Sequence, residues 1–274
     1  MNRLLLDVGN SRIKWVLLRG RYRRHQAFVA RGAISLARLD RPAAAWQRLL
    51  AAAGAPVSVH VCNVAGTAIE RRLRTLFAGI GVRPCFARTV ARAGGVRNAY
   101  PEPWRLGVDR WVGLIGARHE WPGQHLCIVG IGTAMTIDLL DADGGHRGGS
   151  ITPGPQLMVD ALLDRTAGIR RRAGALHRAI GDARPGLAPL FARNTRGALQ
   201  AGARYGCAAL IERAVSEANL LLARRPRLIV TGGGAAAVVP ALRRRYWRED
   251  DLVLRGLAVL AERSARDAAR AGSL

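Results

Sequence analysis

Two segments of this chain, Leu6-Asp7-Val8-Gly9-Asn10 and Val129-Gly130-Ile131-Gly132-Thr133, follow one pattern: an apolar strand, a glycine turn, then a second strand. A strand that doubles straight back at a glycine pairs antiparallel with its successor. One such hairpin in each half points to duplication of an α/β unit, hence two similar lobes with a cleft between them. Aligned this way, Asp7 falls opposite Gly130 and Asn10 opposite Thr133. The boundary is expected near Gly116 to Gln124, giving an N-terminal lobe of 1–118 and a C-terminal lobe of 119–274.

The pattern between these hairpins fits such lobes. Arg3 to Val8 and Ile13 to Leu18 read as strands, and His25 to Ala33 completes a three-stranded meander. Asp40 is a candidate N-cap for an Ala/Leu-rich helix through about Ala53. Val57 to Val61 then reads as a strand, Ala68 to Phe77 as a helix and Val82 to Ala87 as a strand. The second half opens with strands at His125 to Gly130 and Met135 to Leu140. Gly148 to Ile151 adds a third, before a helix opening near Pro155. A long helix from Thr195 to about Ala223, a strand at Arg227 to Val230 and a helix from Val253 to Arg270 complete it. Strands alternating with helices after an antiparallel start predict mixed α/β sheets.

Composition narrows the class. The chain is 49% hydrophobic, enough for a substantial core and too apolar for a disordered polycation. No apolar run approaches the ~20 residues of a membrane span. The Leu-rich start is interrupted by Asp7, Gly9 and Asn10, unlike a signal peptide. Cys62, Cys85, Cys127 and Cys207 have neither metal-ligand nor disulfide-scaffold spacing, so a reduced, cytoplasmic protein is expected. The net charge of +24 is almost entirely arginine, dispersed beside helix-like stretches. That reads as solvated surface, with no specific nucleic-acid partner.

Four segments can carry chemistry. In Asp7-Val8-Gly9-Asn10-Ser11-Arg12-Ile13-Lys14, a strand-ending carboxylate can hold Mg²⁺ while the turn amides bind phosphate. Lys14, the only lysine in the chain, adds a point charge suited to phosphate. Gly132-Thr133-Ala134-Met135-Thr136 offers a second phosphate turn. Thr231-Gly232-Gly233-Gly234, between a strand and a helix, suits close approach by a nucleotide. In Tyr100 to Arg110, Asp109 falls in the first turn of a helix, where the dipole favours a carboxylate. Such a group can accept a hydroxyl proton during phosphoryl transfer, with Arg110 holding an anionic substrate.

In this order the segments resemble the type III pantothenate kinase family, within the acetate and sugar kinase/Hsp70/actin superfamily. The resemblance rests on Asp7-x-Gly9-Asn10-Ser11-x-x-Lys14, on Tyr100 with Gly107-Val108-Asp109-Arg110, and on Gly132-Thr133-Ala134-x-Thr136-x-Asp138. It continues through Gly148-Gly149-x-Ile151-x-Pro153-Gly154, Asn194-Thr195 and Thr231-Gly232-Gly233. It implies two ribonuclease H-like lobes with an interlobe nucleotide cleft. It also implies ATP-dependent phosphorylation of pantothenate to 4'-phosphopantothenate, the first step towards coenzyme A.

Carried over by position, Asp7, Val8, Gly9, Asn10, Ser11, Arg12, Ile13 and Lys14 form the first phosphate loop, with Asp7 at the metal. Thr133, Gly232 and Gly233 contact ATP. Tyr100, Gly107, Val108, Asp109, Arg110 and Thr195 bind pantothenate, with Asp109 as the general base. The resemblance further implies a homodimer whose pantothenate pocket is walled partly by the second subunit. One position departs. Where the family often has an aspartate associated with a monovalent cation, K⁺ or NH₄⁺, this chain has Gly130, which supplies no side-chain ligand. The competing readings are a kinase for another small hydroxylated substrate and a non-catalytic regulatory or nucleic-acid-binding protein on the same scaffold.

Overall fold

A computed structural model describes residues 2–36, 39, 46, 57–173 and 189–271. Its first sheet is organised around β1 (Asn2–Val8), whose Leu4, Leu5, Leu6 and Val8 are buried. The tight turn after Val8 returns the chain as β2 (Arg12–Arg19), antiparallel to β1 with Lys14 opposite Asp7. β3 (Ala30–Ser35) extends this meander. On the other side, β4 (Val57–Asn63) runs parallel to β1 and sets Cys62 opposite Asp7. Helix α1 (Thr67–Ala78) then leads to β5 (Cys85–Phe86), parallel to β4. The order is β3-β2-β1-β4-β5.

Alternation along β1 divides its side chains between two faces. Leu4, Leu6 and Val8 share one core with Leu73 and Phe77 of α1. Arg3, Leu5 and Asp7 take the opposite face.

A ribbon of β6 (Arg92–Ala93) and β7 (Val96–Arg97), then a 3₁₀ turn at Pro103–Arg105, lead into α2 (Val108–Glu120). The second sheet follows. β8 (Leu126–Ile131), β9 (Ala134–Leu140) and β10 (His146–Pro153) form an antiparallel meander. Helices α3 (Pro155–Arg165), α4 (Ala167–Ala173) and α5 (Thr195–Leu222) come next. β11 (Arg227–Thr231) pairs parallel with β8. After the short α6 (Ala235–Val238), β12 (Trp247–Arg248) pairs parallel with β11. The order β10-β9-β8-β11-β12 repeats the first sheet strand for strand. Val129, Ile131, Met135 and Ile137 pack against Cys207, Ile211 and Val215 of α5 in its core.

The last helix, α7 (Leu252–Ala271), corrects the expected division. The chain forms one compact unit from residues before 124 and after 250, and another from 124–250. The division at 123/124 falls within the expected Gly116 to Gln124 window, whereas α7 belongs with the first unit rather than the second. An amphipathic helix shows in sequence that it must cover something, not which sheet it covers. Here it packs on α2 so closely that a Cβ on Gly256 would lie 1.9 Å from the Val112 carbonyl oxygen.

Polar contacts fix its register. Arg3 pairs with Glu262 at 2.8 Å, and Arg255 donates to the Tyr22 hydroxyl at 2.9 Å. That hydroxyl donates to the fully buried Glu120 at 2.6 Å, and the His25 N–H donates to the same carboxylate at 2.7 Å. Burial first, and the bond to Glu120 second, push the Tyr22 phenol well above its ordinary range. A buried carboxylate satisfied this fully is costly to break from one side.

Two expected strands are shorter than their sequence pattern. The His25 to Ala33 run pairs only from Ala30, because the segment before it is held in turns, with His25 at φ 55°. Of Val82 to Ala87, only Cys85 and Phe86 pair. The helix expected from Asp40 to Ala53 lies outside the described residues except for Trp46, which is helical. Among the described residues, no helix is long and apolar enough to cross a membrane.

Candidate active site

Within the first unit, Lys14, Asp7 and Cys62 occupy one row across β2, β1 and β4. Residues in register project from the same face of a sheet, so the three side chains share a surface. Asp109, from the first turn of α2, acts on this row electrostatically. Its Oδ1 accepts the Arg110 N–H at 2.8 Å, which orients the carboxylate at the positive end of the helix. Gly107 precedes it, and a Cβ there would stand 3.0 Å from Asp109 Oδ1.

Asp7 is raised to about 6, chiefly by burial. The Lys14 ammonium opposes that shift, Asp109 adds to it, Arg12 opposes it and Asp251 adds to it. Neither Cys62 nor Asp251 was among the expected site residues. Burial, then Asp7 and Asp109, hold the Cys62 thiol well above its ordinary range, so it lines the site as a neutral group. Asp251 immediately precedes α7 and pairs with Arg31 at 3.4 Å. A cluster of acidic residues near the chain end was a visible signal, but its arrival at Asp7 depends on α7 returning to this unit.

Tyr100 and Arg110, both expected to bind the substrate, meet in the first unit. An Arg110 guanidinium nitrogen lies 3.3 Å from the Tyr100 hydroxyl, with its carbon 6.0 Å from the ring centroid. Arg110 is buried and Tyr100 half-buried. A buried guanidinium beside a phenol makes a binding wall for an anionic or hydroxylated molecule.

Within the second unit, three glycine-bearing segments converge. The Gly132 N–H donates to the Ala134 carbonyl at 2.9 Å, closing the turn from β8 to β9. The Gly154 N–H donates to the Thr133 carbonyl at 2.8 Å, and the Gly234 N–H to the Ile131 carbonyl at 2.9 Å. Gly154 makes this approach possible: a Cβ there would lie 2.1 Å from the Gly132 carbonyl oxygen. Gly132, Thr133 and Gly233 remain exposed. An exposed threonine beside closely approaching glycine backbone suits phosphate oxygens.

Asp138, from the same motif, is instead buried against His146 at 2.9 Å and braces β9 to β10. Thr195 opens α5, where the Asn194 side chain caps the helix by accepting the Gly197 N–H at 2.7 Å. Thr195 belongs to the second unit, whereas Tyr100 and Gly107–Arg110 belong to the first.

Among the described residues, no group of three or more His, Cys, Asp or Glu side chains could hold a metal ion by itself. Mg²⁺ carried with a nucleotide needs less, commonly one or two carboxylates with phosphates and water completing its shell. Asp7 fits that role. Its carboxylate is desolvated and raised further by Asp109 and Asp251, so a cation would relieve it.

The raised value of Asp7 carries a stability prediction. Between the ordinary carboxylate range and about 6, the unfolded chain ionises Asp7 while the folded chain keeps it protonated. Stability therefore falls as pH rises through this window and stays low above it. Without metal or nucleotide, Asp7→Asn should be more stable than the parent by about 2–3 kcal/mol at pH 8. The difference should vanish below about pH 4, where both side chains are neutral. Urea melts at the two pH values measure it; equal stability at pH 8 would show that Asp7 is not strained by burial.

Known proteins resemble this chain over most of its length. The model of the type III pantothenate kinase family matches residues 3–217. A curated type III pantothenate kinase of Burkholderia thailandensis is 43% identical over 266 residues, covering 94% of this chain and 97% of its own. A solved Campylobacter jejuni protein, assigned to the Baf family of transcriptional activators, is 18% identical with a TM-score of 0.55, over 96% of this chain and 99% of that one. A Sinorhizobium meliloti protein assigned as a 2-dehydro-3-deoxygalactonokinase is 17% identical with a TM-score of 0.53, over 96% and 99% of the two chains. At such identity the last two speak for the fold alone.

Proposed function

The chain belongs to the type III pantothenate kinase family, and from that premise we propose how its residues divide the work of phosphorylating pantothenate with ATP in coenzyme A biosynthesis. Asp109 is the general base: its carboxylate accepts the proton of the pantothenate primary hydroxyl as that oxygen attacks the γ-phosphorus, whose bond to the β,γ-bridging oxygen breaks to release ADP. Tyr100, Gly107, Val108 and Arg110 hold the substrate beside it. Thr195 is retained as a pantothenate contact on its motif alone.

Asp7 to Lys14 form the first phosphate loop, with Lys14 placing its charge on the phosphates. Thr133, Gly232 and Gly233 contribute contacts to ATP. Mg²⁺, held through Asp7, supplies neutralisation of charge on the phosphates. Phosphoryl transfer is dominated by positioning and electrostatics, so little covalent chemistry is required of the protein. The observation that carries this reading is that the Asp109 carboxylate, at the start of α2, acts electrostatically on Asp7, which lies in register with Lys14. A homodimer in the cytoplasm completes the proposal.

Gly130 bears on the cation. It lies on β8 opposite Thr136, and a Cβ added to it would stand 3.0 Å from Thr136 Oγ1. No carboxylate is available from this position, so K⁺ and NH₄⁺ are dispensable in this reading. The test is an assay of the purified protein with pantothenate, Mg²⁺ and a panel of nucleoside triphosphates, titrated with K⁺ and NH₄⁺ at constant ionic strength. Pantothenate-dependent turnover without either cation is expected. Steep, saturable activation by K⁺ would overturn the cation reading, and no phosphorylated pantothenate under any condition would overturn the assignment of roles.

A further inference from the structure

Asn98 takes part in none of the motifs above, yet both arms of its side-chain amide are committed to the loop that carries Tyr100. Its N–H donates to the Ala91 carbonyl at 2.9 Å and continues the pairing of β6 with β7. Its Oδ1 accepts the Tyr100 N–H at 3.0 Å, and its Nδ2 donates to the Pro103 carbonyl at 3.3 Å. One side-chain amide therefore ties the backbone of Tyr100 to the 3₁₀ turn that follows. An amide can do this because it carries an acceptor and a donor together; a carboxylate keeps only the first.

The loop is anchored at both ends. The tip of the β6–β7 ribbon rests directly on α2, where a Cβ on Gly94 would lie 2.3 Å from Ile115 Cγ2. At the exit, the Thr89 hydroxyl donates to the carbonyl of the buried Leu106 at 2.9 Å. The helix beneath is the one whose first turn bears Asp109. Between these anchors Tyr100 reaches Arg110, so the place of its ring follows from the place of its backbone, which Asn98 holds.

We propose that Asn98 is a positioning residue for pantothenate: it sets Tyr100, and through Tyr100 the Arg110 guanidinium, relative to Asp109. This rests on the reading of Tyr100 and Arg110 as pantothenate contacts. Because Asn98 lies on the substrate loop rather than the phosphate loop, its loss should separate the two substrates kinetically.

The test compares the full-length enzyme with Asn98→Ala, Asn98→Asp and Tyr100→Phe, varying ATP and pantothenate independently and recording Tm. Asn98→Ala should raise KM for pantothenate by about 5- to 10-fold, the loss expected of one net hydrogen bond. KM for ATP and kcat should stay within about twofold of the parent. Asn98→Asp keeps the bond to Tyr100 and should lie closer to the parent than the alanine variant. The proposal is overturned if KM rises equally for both substrates, or if Tm falls with pantothenate KM unchanged, since either marks a merely structural role. An aspartate variant no better than alanine also overturns it. If Tyr100→Phe leaves pantothenate KM unchanged, the reading of Tyr100 as a substrate contact fails. If that variant raises KM and Asn98→Ala does not, only the role of Asn98 falls.

Discussion

Asp109→Asn is expected to lower kcat by about 10²–10⁴-fold, the range that general-base assistance supplies. The substitution isolates the proton acceptor. The asparagine oxygen can still accept the Arg110 N–H that now meets Asp109 Oδ1 at 2.8 Å, so the side chain keeps its orientation in the first turn of α2. What it loses is the negative charge and the basicity that draw the hydroxyl proton as the oxygen attacks. Asp109 also raises Asp7, so its neutralisation should bring Asp7 down from about 6 and leave metal–nucleotide binding intact or stronger. A selective fall in kcat, with ATP affinity and Tm held, is therefore the expected signature. Steady-state kinetics and nucleotide titration of the variant measure it; a kcat near that of the parent would remove Asp109 from the mechanism.

The parts of this site that were legible in sequence are those built by short-range rules. A glycine turn between two apolar runs forces a hairpin, and a hairpin that tight puts Lys14 across from Asp7 almost automatically. The same rule located Gly132 and Thr133. Tyr100 and Arg110 were visible as members of one motif whose second half opens a helix; their contact is supplied by the fold.

Long-range arrivals were not legible. Cys62 reaches Asp7 only because β4 pairs parallel to β1, and parallel register leaves no mark on either strand alone. Asp251 reaches it because α7 returns to the first unit, a choice among amphipathic faces that hydropathy does not make. Asn98 escaped notice for a third reason. Asparagine before an irregular loop is common, and its value lies in which carbonyl its amide finds.

Lys14→Ala should lower kcat/KM for ATP by about 10²–10³-fold, comparable to deleting one preorganised donor from a site where charge builds up in the transition state. A chain that uses arginine at every other basic position retains a lysine here, in register with Asp7. An ammonium is a compact charge on a flexible stem, able to serve a phosphate oxygen and the Asp7 carboxylate from one place. A guanidinium is a planar fork that demands a matching partner on both arms. Lys14→Arg should therefore restore only part of the lost activity.

The second consequence is a shift in pH dependence. Lys14 is the largest influence opposing the burial of Asp7, so removing it raises Asp7 above about 6. A carboxylate with a higher pKa must be taken to higher pH before it ionises, and the acid limb of kcat/KM should move upward accordingly. Restoring a positive charge in Lys14→Arg should move that limb back even where the rate is not fully recovered. Pantothenate affinity, which depends on the Tyr100–Arg110 side of the site, should change little in either variant. ATP kinetics across pH for the parent and both variants provide the measurement. Unchanged ATP dependence in Lys14→Ala would show that the first loop does not hold the phosphates, and an acid limb that stays in place would show that Lys14 and Asp7 act independently.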